Sequence, residues 1–194
     1  SKMVDFHKKN NADLTIAVQD VSLEEATRLG IMTCDSDMRV VDFTEKPKEP
    51  KSTLASMGIY VFTWKKLKEY LIENENDNNG SKDFGKDIIP SMLGNNENLF
   101  AYTFEGYWKD VGTLDSLWEA NMDLLSPSVP LDLYDNEWKI YTRNNNMPPQ
   151  YIGSTAEVEN SMIAEGSTIN GKVDFSIIFS GAKIEEGATV NYSI

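Results

Sequence analysis

The sequence predicts an α/β protein in which a region of alternating strands and helices is followed by a parallel β-helix. Between residues 12 and 125, β-branched and aromatic runs alternate with segments of helical periodicity. Beyond residue 150, apolar residues recur six positions apart within three groups, first Ile152 and Val158, then Ile163 and Ile169, and then Ile178, Ile184 and Val190. Helices and ordinary strands do not have this period, whereas parallel β-helices do. We therefore expect an α/β part at 1–127, a linker at 128–149 and a β-helix at 150–194.

Composition and charge limit the classes of function. The chain has 194 residues, and its 31 acidic and 18 basic residues give a net charge of −13. This charge repels nucleic acids and anionic membranes, so we expect neither as a partner. The single cysteine, Cys34, excludes an internal disulfide, and no apolar run is long enough to span a bilayer. We expect a cytoplasmic protein.

The N-terminal pattern predicts a helix, a strand, a short helix and a hairpin. Residues 2–10 form an amphipathic pattern with His7 at its boundary, and residues 12–18 alternate like a strand. Ser22 to Glu25 is a capping-box sequence that begins a brief helix. Residues 31–43 then predict a β-hairpin.

Glu45 and Lys46 stand where the last strand of that hairpin ends. Pro47 keeps Lys46 out of the helical conformation and Pro50 stiffens the loop that follows. A carboxylate beside an ammonium at a rigid strand end suits a ligand with hydroxyls and a phosphate. From these residues alone, a charged surface turn is the simpler interpretation, because Lys48, Glu49 and Lys51 follow directly.

Residues 56–62 predict a central strand, because their apolar content is nearly continuous. Gly58 inside this strand indicates either a bulge or the close approach of a ligand. Thr63 can begin a helix that reaches about residue 73, whose buried side we expect to contain Leu67, Leu71 and Ile72.

Asp83 begins the next predicted helix, where free backbone amides can assist a bound group. Helix capping explains Asp83 equally well, but it does not explain Phe84 and Gly85. A strand at 98–104 follows.

Asp110 lies between that strand and a helix that Thr113 begins and that reaches about residue 125. It is either a structural residue or an oxygen ligand for Mg²⁺, which usually takes one or two protein carboxylates and phosphate oxygens. In the linker, we expect apolar side chains to pack on their neighbours, namely Leu133, Tyr134, Trp138 and Ile140.

The order and spacing of four motifs, together with the six-residue repeat, closely resemble the bacterial glucose-1-phosphate adenylyltransferase (ADP-glucose pyrophosphorylase) family. These motifs are Glu45-Lys46-Pro47, residues 55–60, residues 83–86 and residues 107–113. The resemblance covers nearly the whole chain. It implies the C-terminal half of a Rossmann-like nucleotidyltransferase domain, followed by part of a left-handed β-helix.

The resemblance also implies an activity and a site. The family transfers the adenylyl group of ATP to glucose 1-phosphate with Mg²⁺, and releases ADP-glucose and pyrophosphate for glycogen synthesis. By resemblance, Lys46 is catalytic and binds the sugar phosphate, and Asp110 is catalytic and binds the metal. The remaining substrate-binding residues would be Glu45, Ser56, Tyr60, Asp83, Phe84 and Trp108.

The family's glycine-rich nucleotide loop has no counterpart in this sequence, so we expect a fragment that is inactive alone. The intact protein would be a homo-oligomer, a tetramer. Three alternatives remain: a nucleotidyltransferase for another sugar or base, a non-catalytic regulatory subunit, and a hexapeptide acyltransferase. Retention of Lys46, Asp83 and Asp110 together argues against a regulatory subunit. The absence of a histidine from the repeat region argues against an acyltransferase.

Overall fold

The computed structural model describes residues 1–78, 80–128, 131–137, 139–143 and 146–194. The chain divides into two compact units, residues 1–105 and residues 106–194. The three-part division expected from the sequence stays a prediction.

The first unit contains the strands and helices that the sequence predicts, with ends shifted by a few residues. Its elements are α1 (Lys2–Lys9), β1 (Leu14–Asp20), α2 (Leu23–Ala26), β2 (Gly30–Cys34), β3 (Val40–Glu45), β4 (Leu54–Phe62), α3 (Trp64–Asn76), α4 (Ile89–Gly94) and β5 (Leu99–Thr103). A π-helical turn, Phe84–Ile88, leads directly into α4. Among the described helices, none has the length and apolar content that crossing a membrane requires.

The strands of this unit form one mixed sheet in the order β3-β2-β4-β1-β5. Strands β1 and β5 are parallel, and the other neighbours are antiparallel. The middle position of β4 agrees with the prediction of a central strand. The register between β1 and β4 shifts at Gly58, whose φ is +70°, so the bulge interpretation of this glycine is confirmed.

The core of the first unit lies between the sheet and α4. Fully buried side chains come from β1, β2, α4 and β5, and they include Leu14, Ile16, Val18, Met32, Ile89, Met92 and Leu99. The same core includes Val40 and Phe43 of β3, the strand that ends at Glu45.

The buried face of α3 differs from the prediction. Tyr70 is buried, whereas Leu71 and Ile72 are 39% and 53% exposed. The Tyr70 hydroxyl donates to Glu97 at 3.1 Å and accepts from the Asn95 side chain at 2.9 Å. Because these partners satisfy the hydroxyl, the aromatic ring can be buried in place of the two aliphatic side chains.

His7 is buried, although the sequence places it at a boundary. Its Nδ1 is 2.9 Å from Thr15 Oγ1, and its Nε2 is 3.2 Å from Thr63 Oγ1. Thr63 stands at the N-cap of α3 but donates its hydroxyl proton to the Ala12 carbonyl instead of capping the helix. Nε2 therefore donates to Thr63, which leaves Nδ1 of the neutral ring to accept from Thr15.

The second unit begins with α5 (Leu114–Asp123), which Thr113 caps as predicted, and Ser116 completes a capping box with it. The Trp118 indole nitrogen of this helix donates to the Tyr192 carbonyl at 2.9 Å. The short strands that follow are β6 (Tyr151–Ile152), β7 (Glu157–Glu159), β8 (Met162–Ile163), β9 (Thr168–Ile169), β10 (Lys172–Asp174), β11 (Ile177–Ile178), β12 (Lys183–Ile184) and β13 (Thr189–Asn191).

These short strands form three small parallel sheets, with the orders β13-β10-β7, β11-β8 and β12-β9-β6. The six-residue repeat places its apolar residues in register across the strands. Ile169 pairs with Ile152 and Ile184, and Val158 and Val190 both pair with Val173, which the six-residue series does not include. Both central side chains are fully buried. The repeat thus builds a core of its own, separate from that of the first unit.

The expected packing of the linker is wrong for three of its four residues. Leu133, Tyr134 and Ile140 are exposed. The fourth, Trp138, lies outside the described residues.

Candidate functional site

Six predicted site residues lie in the first unit, on three segments. Glu45 and Lys46 stand at the end of β3, Ser56 and Tyr60 lie on β4, and Asp83 and Phe84 begin the π-helical turn. Trp108 and Asp110 belong to the second unit, residues 106–194.

The Glu45 carboxylate is half-buried and lies against two glycines. Glu45 pairs with Gly30 of β2, and a Cβ atom placed on Gly30 would be 2.9 Å from Glu45 Oε2. A Cβ atom on Gly85 would be 2.9 Å from the carboxyl carbon and would overlap Oε2. Burial raises the pKa of Glu45, the charge of Asp83 adds to the rise, and Lys46 and Lys86 oppose it.

Lys46 has a left-handed backbone, with φ of +49°, which differs from the extended conformation usual before proline. Its amide donates to the Leu29 carbonyl at 3.0 Å, and its side chain is exposed. A left-handed residue with a side chain costs about 1–3 kcal/mol. The surrounding hairpin therefore holds Lys46 in a strained turn with its ammonium exposed.

Ser56 and Tyr60 are joined on β4 across the bulge. The Ser56 hydroxyl accepts from the Gly58 amide at 3.2 Å and is 3.5 Å from the Tyr60 hydroxyl. Burial raises the pKa of the Tyr60 phenol, the Ser56 hydrogen bond opposes the rise, and the charges of Glu45 and Asp83 add to it. The phenol and both carboxylates are thus close enough to influence one another.

Asp83 caps the π-helical turn, as one interpretation of the sequence expects. Its Oδ1 accepts from the amides of Gly85 and Lys86 at 2.8 and 2.9 Å. The Phe84 ring stacks on Tyr60, with centroids 5.7 Å apart and planes at 24°, and lies 5.6 Å from Phe62. Phe84 is 37% exposed, so these rings form an aromatic surface beside the carboxylates.

Sequence reasoning missed Phe62, Gly30 and the contact of Gly85 with Glu45. Phe62 has a local signal, because it lies two residues after Tyr60 on the same face of β4. The contact of Gly30 with Glu45 also has a signal, because it continues the pairing of the predicted hairpin by one step. The contact of Gly85 with Glu45 has none, since these residues lie far apart in the chain.

The arrangement in the first unit can bind a ligand that carries hydroxyls and an anionic group. Carboxylates accept hydrogen bonds from hydroxyls, and an aromatic surface covers the apolar side of a sugar ring. The ammonium groups of Lys46 and Lys86 are exposed and can meet an anion.

The second unit places Lys109 in a cluster of acidic side chains. Lys109 Nζ is 2.9 Å from Glu119 and 3.4 Å from Asp123, which also accepts from the Tyr107 hydroxyl at 2.9 Å. Trp108 is half-buried.

Asp110 is exposed, and a Cβ atom on Gly112 would come within 2.9 Å of its carboxylate. No group of three or more histidine, cysteine, aspartate or glutamate side chains suited to a metal occurs in the described part of the chain. Asp110 could therefore supply a single carboxylate to a metal.

Comparisons with known proteins agree on a family. The family model described as nucleotidyl transferase matches residues 1–127. A glucose-1-phosphate adenylyltransferase of Clostridium beijerinckii is 55% identical over the whole chain, which covers 50% of that relative. Proteins of the same name from Clostridium acetobutylicum and Ruminiclostridium cellulolyticum are 55% and 54% identical, over 94% and 96% of this chain and 48% and 44% of theirs. The chain spans about half the length of these curated relatives, and it belongs to the nucleotidyl transferase family.

Proposed function

We propose that this chain forms the sugar-phosphate side of a glucose-1-phosphate adenylyltransferase. The enzyme would transfer the adenylyl group of ATP to glucose 1-phosphate, giving ADP-glucose and pyrophosphate for glycogen synthesis. The observation that carries this proposal is the convergence of Glu45, Tyr60, Asp83 and Phe84 from three segments of the first unit. The names of relatives 50–55% identical to this chain support it.

Each side chain of the first unit has a proposed role. The Lys46 ammonium binds the phosphate of the sugar, and Glu45 accepts hydrogen bonds from its hydroxyls. Asp83 Oδ1 and Glu45 Oε2 both border the Cβ position of Gly85, so Asp83 would face the same part of the sugar. Ser56 and Tyr60 line the pocket, and Phe84 covers one side of the ring.

The proposed chemistry needs no nucleophile from the protein. An oxygen of the sugar phosphate attacks the α-phosphorus of ATP in line with the departing pyrophosphate, so positioning and charge neutralisation dominate. The one thiol of the chain agrees with this, because burial and the charge of Asp35 raise the pKa of Cys34 to about 11. Cys34 therefore stays protonated and unreactive at neutral pH.

Two proposed roles rest on the second unit alone. We propose Asp110 as a ligand for Mg²⁺, since an exposed single carboxylate fits the donor set that this ion takes beside phosphate oxygens. When bound, Mg²⁺ would neutralise phosphate charge. We propose Trp108 as a substrate-binding residue, and both roles follow the family motif at residues 107–113.

We propose that residues 1–127 are the C-terminal half of a Rossmann-like domain and that residues 150–194 are part of a left-handed β-helix. The parallel pairs of Glu157 with Lys172 and of Lys172 with Thr189 support the β-helix, because they stack strands one coil apart. A cytoplasmic homotetramer is the proposed state of the whole protein, and residues 1–194 alone would not catalyse turnover.

Calorimetric titration of the 194-residue chain with glucose 1-phosphate tests the proposal. We expect binding that Glu45→Gln and Asp83→Asn weaken, and weaker binding of glucose 6-phosphate. Preference for mannose 1-phosphate would indicate an enzyme for another sugar. The absence of binding to any sugar 1-phosphate would refute a sugar-phosphate site and favour a regulatory subunit.

A further inference from the structure

Gly85 is the residue of the site whose type the proposed function does not explain. It lies in the π-helical turn, and its backbone is outside the left-handed region that favours glycine. Glycine in such a turn loses more conformational freedom on folding than alanine does. Its presence therefore needs a reason other than backbone geometry.

The structure supplies a steric reason. Gly85 is buried, and a Cβ atom there would overlap Glu45 Oε2 while standing 3.4 Å from Asp83 Oδ1, which is ordinary contact. The missing side chain thus makes room for one group, the Glu45 carboxylate. Gly30, on the neighbouring strand, lies against the same Glu45 oxygen, because a Cβ atom placed on Gly30 would be 2.9 Å from Oε2.

We propose that Gly85 is a positioning residue that acts through Glu45. The open face of the π-helical turn lets the Glu45 carboxylate lie beside Asp83, and the two carboxylates then form a paired acceptor for neighbouring sugar hydroxyls. This inference rests on the proposed function for its ligand. The packing of Gly85 against Glu45 is independent of that ligand and can be tested by itself.

A double-mutant cycle in the 194-residue chain tests the packing by thermal unfolding. Gly85→Ala should lower Tm by about 3 °C or more in the parent chain, because the new methyl group displaces a carboxylate. The same loss of Tm should appear when Gly85→Ala is combined with Glu45→Gln, which keeps the shape of the side chain and removes its charge. In a chain that already carries Glu45→Ala, Gly85→Ala should lower Tm by less than about 1 °C or raise it.

Two other glycines are matched controls. Gly94→Ala should leave Tm unchanged or raise it, because nothing lies within 4 Å of its Cβ position. Gly30→Ala should lower Tm in every background, because its Cβ would also be 2.6 Å from the Phe43 ring. An equal loss of Tm from Gly85→Ala in the parent and Glu45→Ala chains would overturn the proposal.

Binding of glucose 1-phosphate then tests the positioning role. Gly85→Ala should weaken binding roughly tenfold, which corresponds to one charged hydrogen bond, and the double variant with Glu45→Ala should bind no worse than Glu45→Ala alone. Unchanged binding in Gly85→Ala would overturn the positioning role. If the parent chain binds no glucose 1-phosphate, the proposed function fails, and the unfolding cycle still decides whether Gly85 positions Glu45.

Discussion

Replacing Lys46 with alanine removes the ammonium that we propose binds the sugar phosphate. The Lys46 side chain is exposed, and within the described residues it forms no ion pair. Alanine and lysine also share the same difficulty at a φ of +49°, because both carry a Cβ atom. We therefore expect the free energy of unfolding to change by less than about 0.5 kcal/mol.

Binding should change far more than stability. A hydrogen bond to a charged group contributes about 1.5–3 kcal/mol, so Lys46→Ala should weaken binding of glucose 1-phosphate by roughly ten- to a hundredfold. Calorimetric titration at fixed ionic strength measures this loss. Lys48→Ala is the matched control, because Lys48 is exposed in the same loop and would lose the same overall charge.

Two results would refute this reasoning. Equal losses of affinity from Lys46→Ala and Lys48→Ala would mean that only the overall charge of the loop matters. A loss of affinity below about twofold from Lys46→Ala would mean that Lys46 does not contact the phosphate. In the complete enzyme, ATP affinity should stay nearly unchanged. An equal loss for ATP and for the sugar phosphate would contradict the role assigned to Lys46.

Three further predictions concern pH and helix capping. Burial lowers the pKa of His7, so at acidic pH the unfolded chain binds more protons than the folded chain. The free energy of unfolding should therefore fall as pH drops below about 6.5. Urea unfolding of a His7→Gln variant should show a weaker dependence of this free energy on pH. Burial raises the pKa of Glu45, so its charged form costs stability at neutral pH. Glu45→Gln should therefore raise the urea midpoint at pH 7, and the difference should shrink below about pH 4, where both folded and unfolded chains hold the proton. Thr113→Ala should lower the stability of α5 by about 1 kcal/mol, because Ser116 loses the acceptor of its amide proton. Hydrogen exchange of the Ser116 amide should then be faster than in the parent chain. Equal exchange rates in the variant and the parent chain would show that Thr113 does not cap the helix.

Local patterns were sufficient for the elements that depend on near neighbours. The capping boxes at Ser22 and Thr113 are present because their partners lie three residues away. The six-residue repeat located the region of short parallel strands, but it did not include Val173, which pairs with Val158 and Val190. The bulge at Gly58 was one of two possibilities, and only the register with β1 distinguishes them.

Features that depend on distant residues could not be predicted from such patterns. The orientation of α3 follows from polar partners for Tyr70, which come from residues 95 and 97 rather than from the helix itself. The left-handed turn at Lys46 opposes the usual effect of a following proline. The site itself was located by likeness to a family, because no local pattern shows that residues 45, 60 and 83 meet.

The hydrogen bond from Trp118 to the Tyr192 carbonyl has a practical consequence for shortening this protein. A truncation after residue 127, where the family match ends, would delete this acceptor and remove the hydrogen-bond partner of the Trp118 indole. Glu105 is a better place to cut, because the preceding residues keep the entire five-stranded sheet and all three segments that carry Glu45, Tyr60 and Asp83. A fragment of residues 1–105 is therefore a smaller target than the 194-residue chain for ligand screening by NMR.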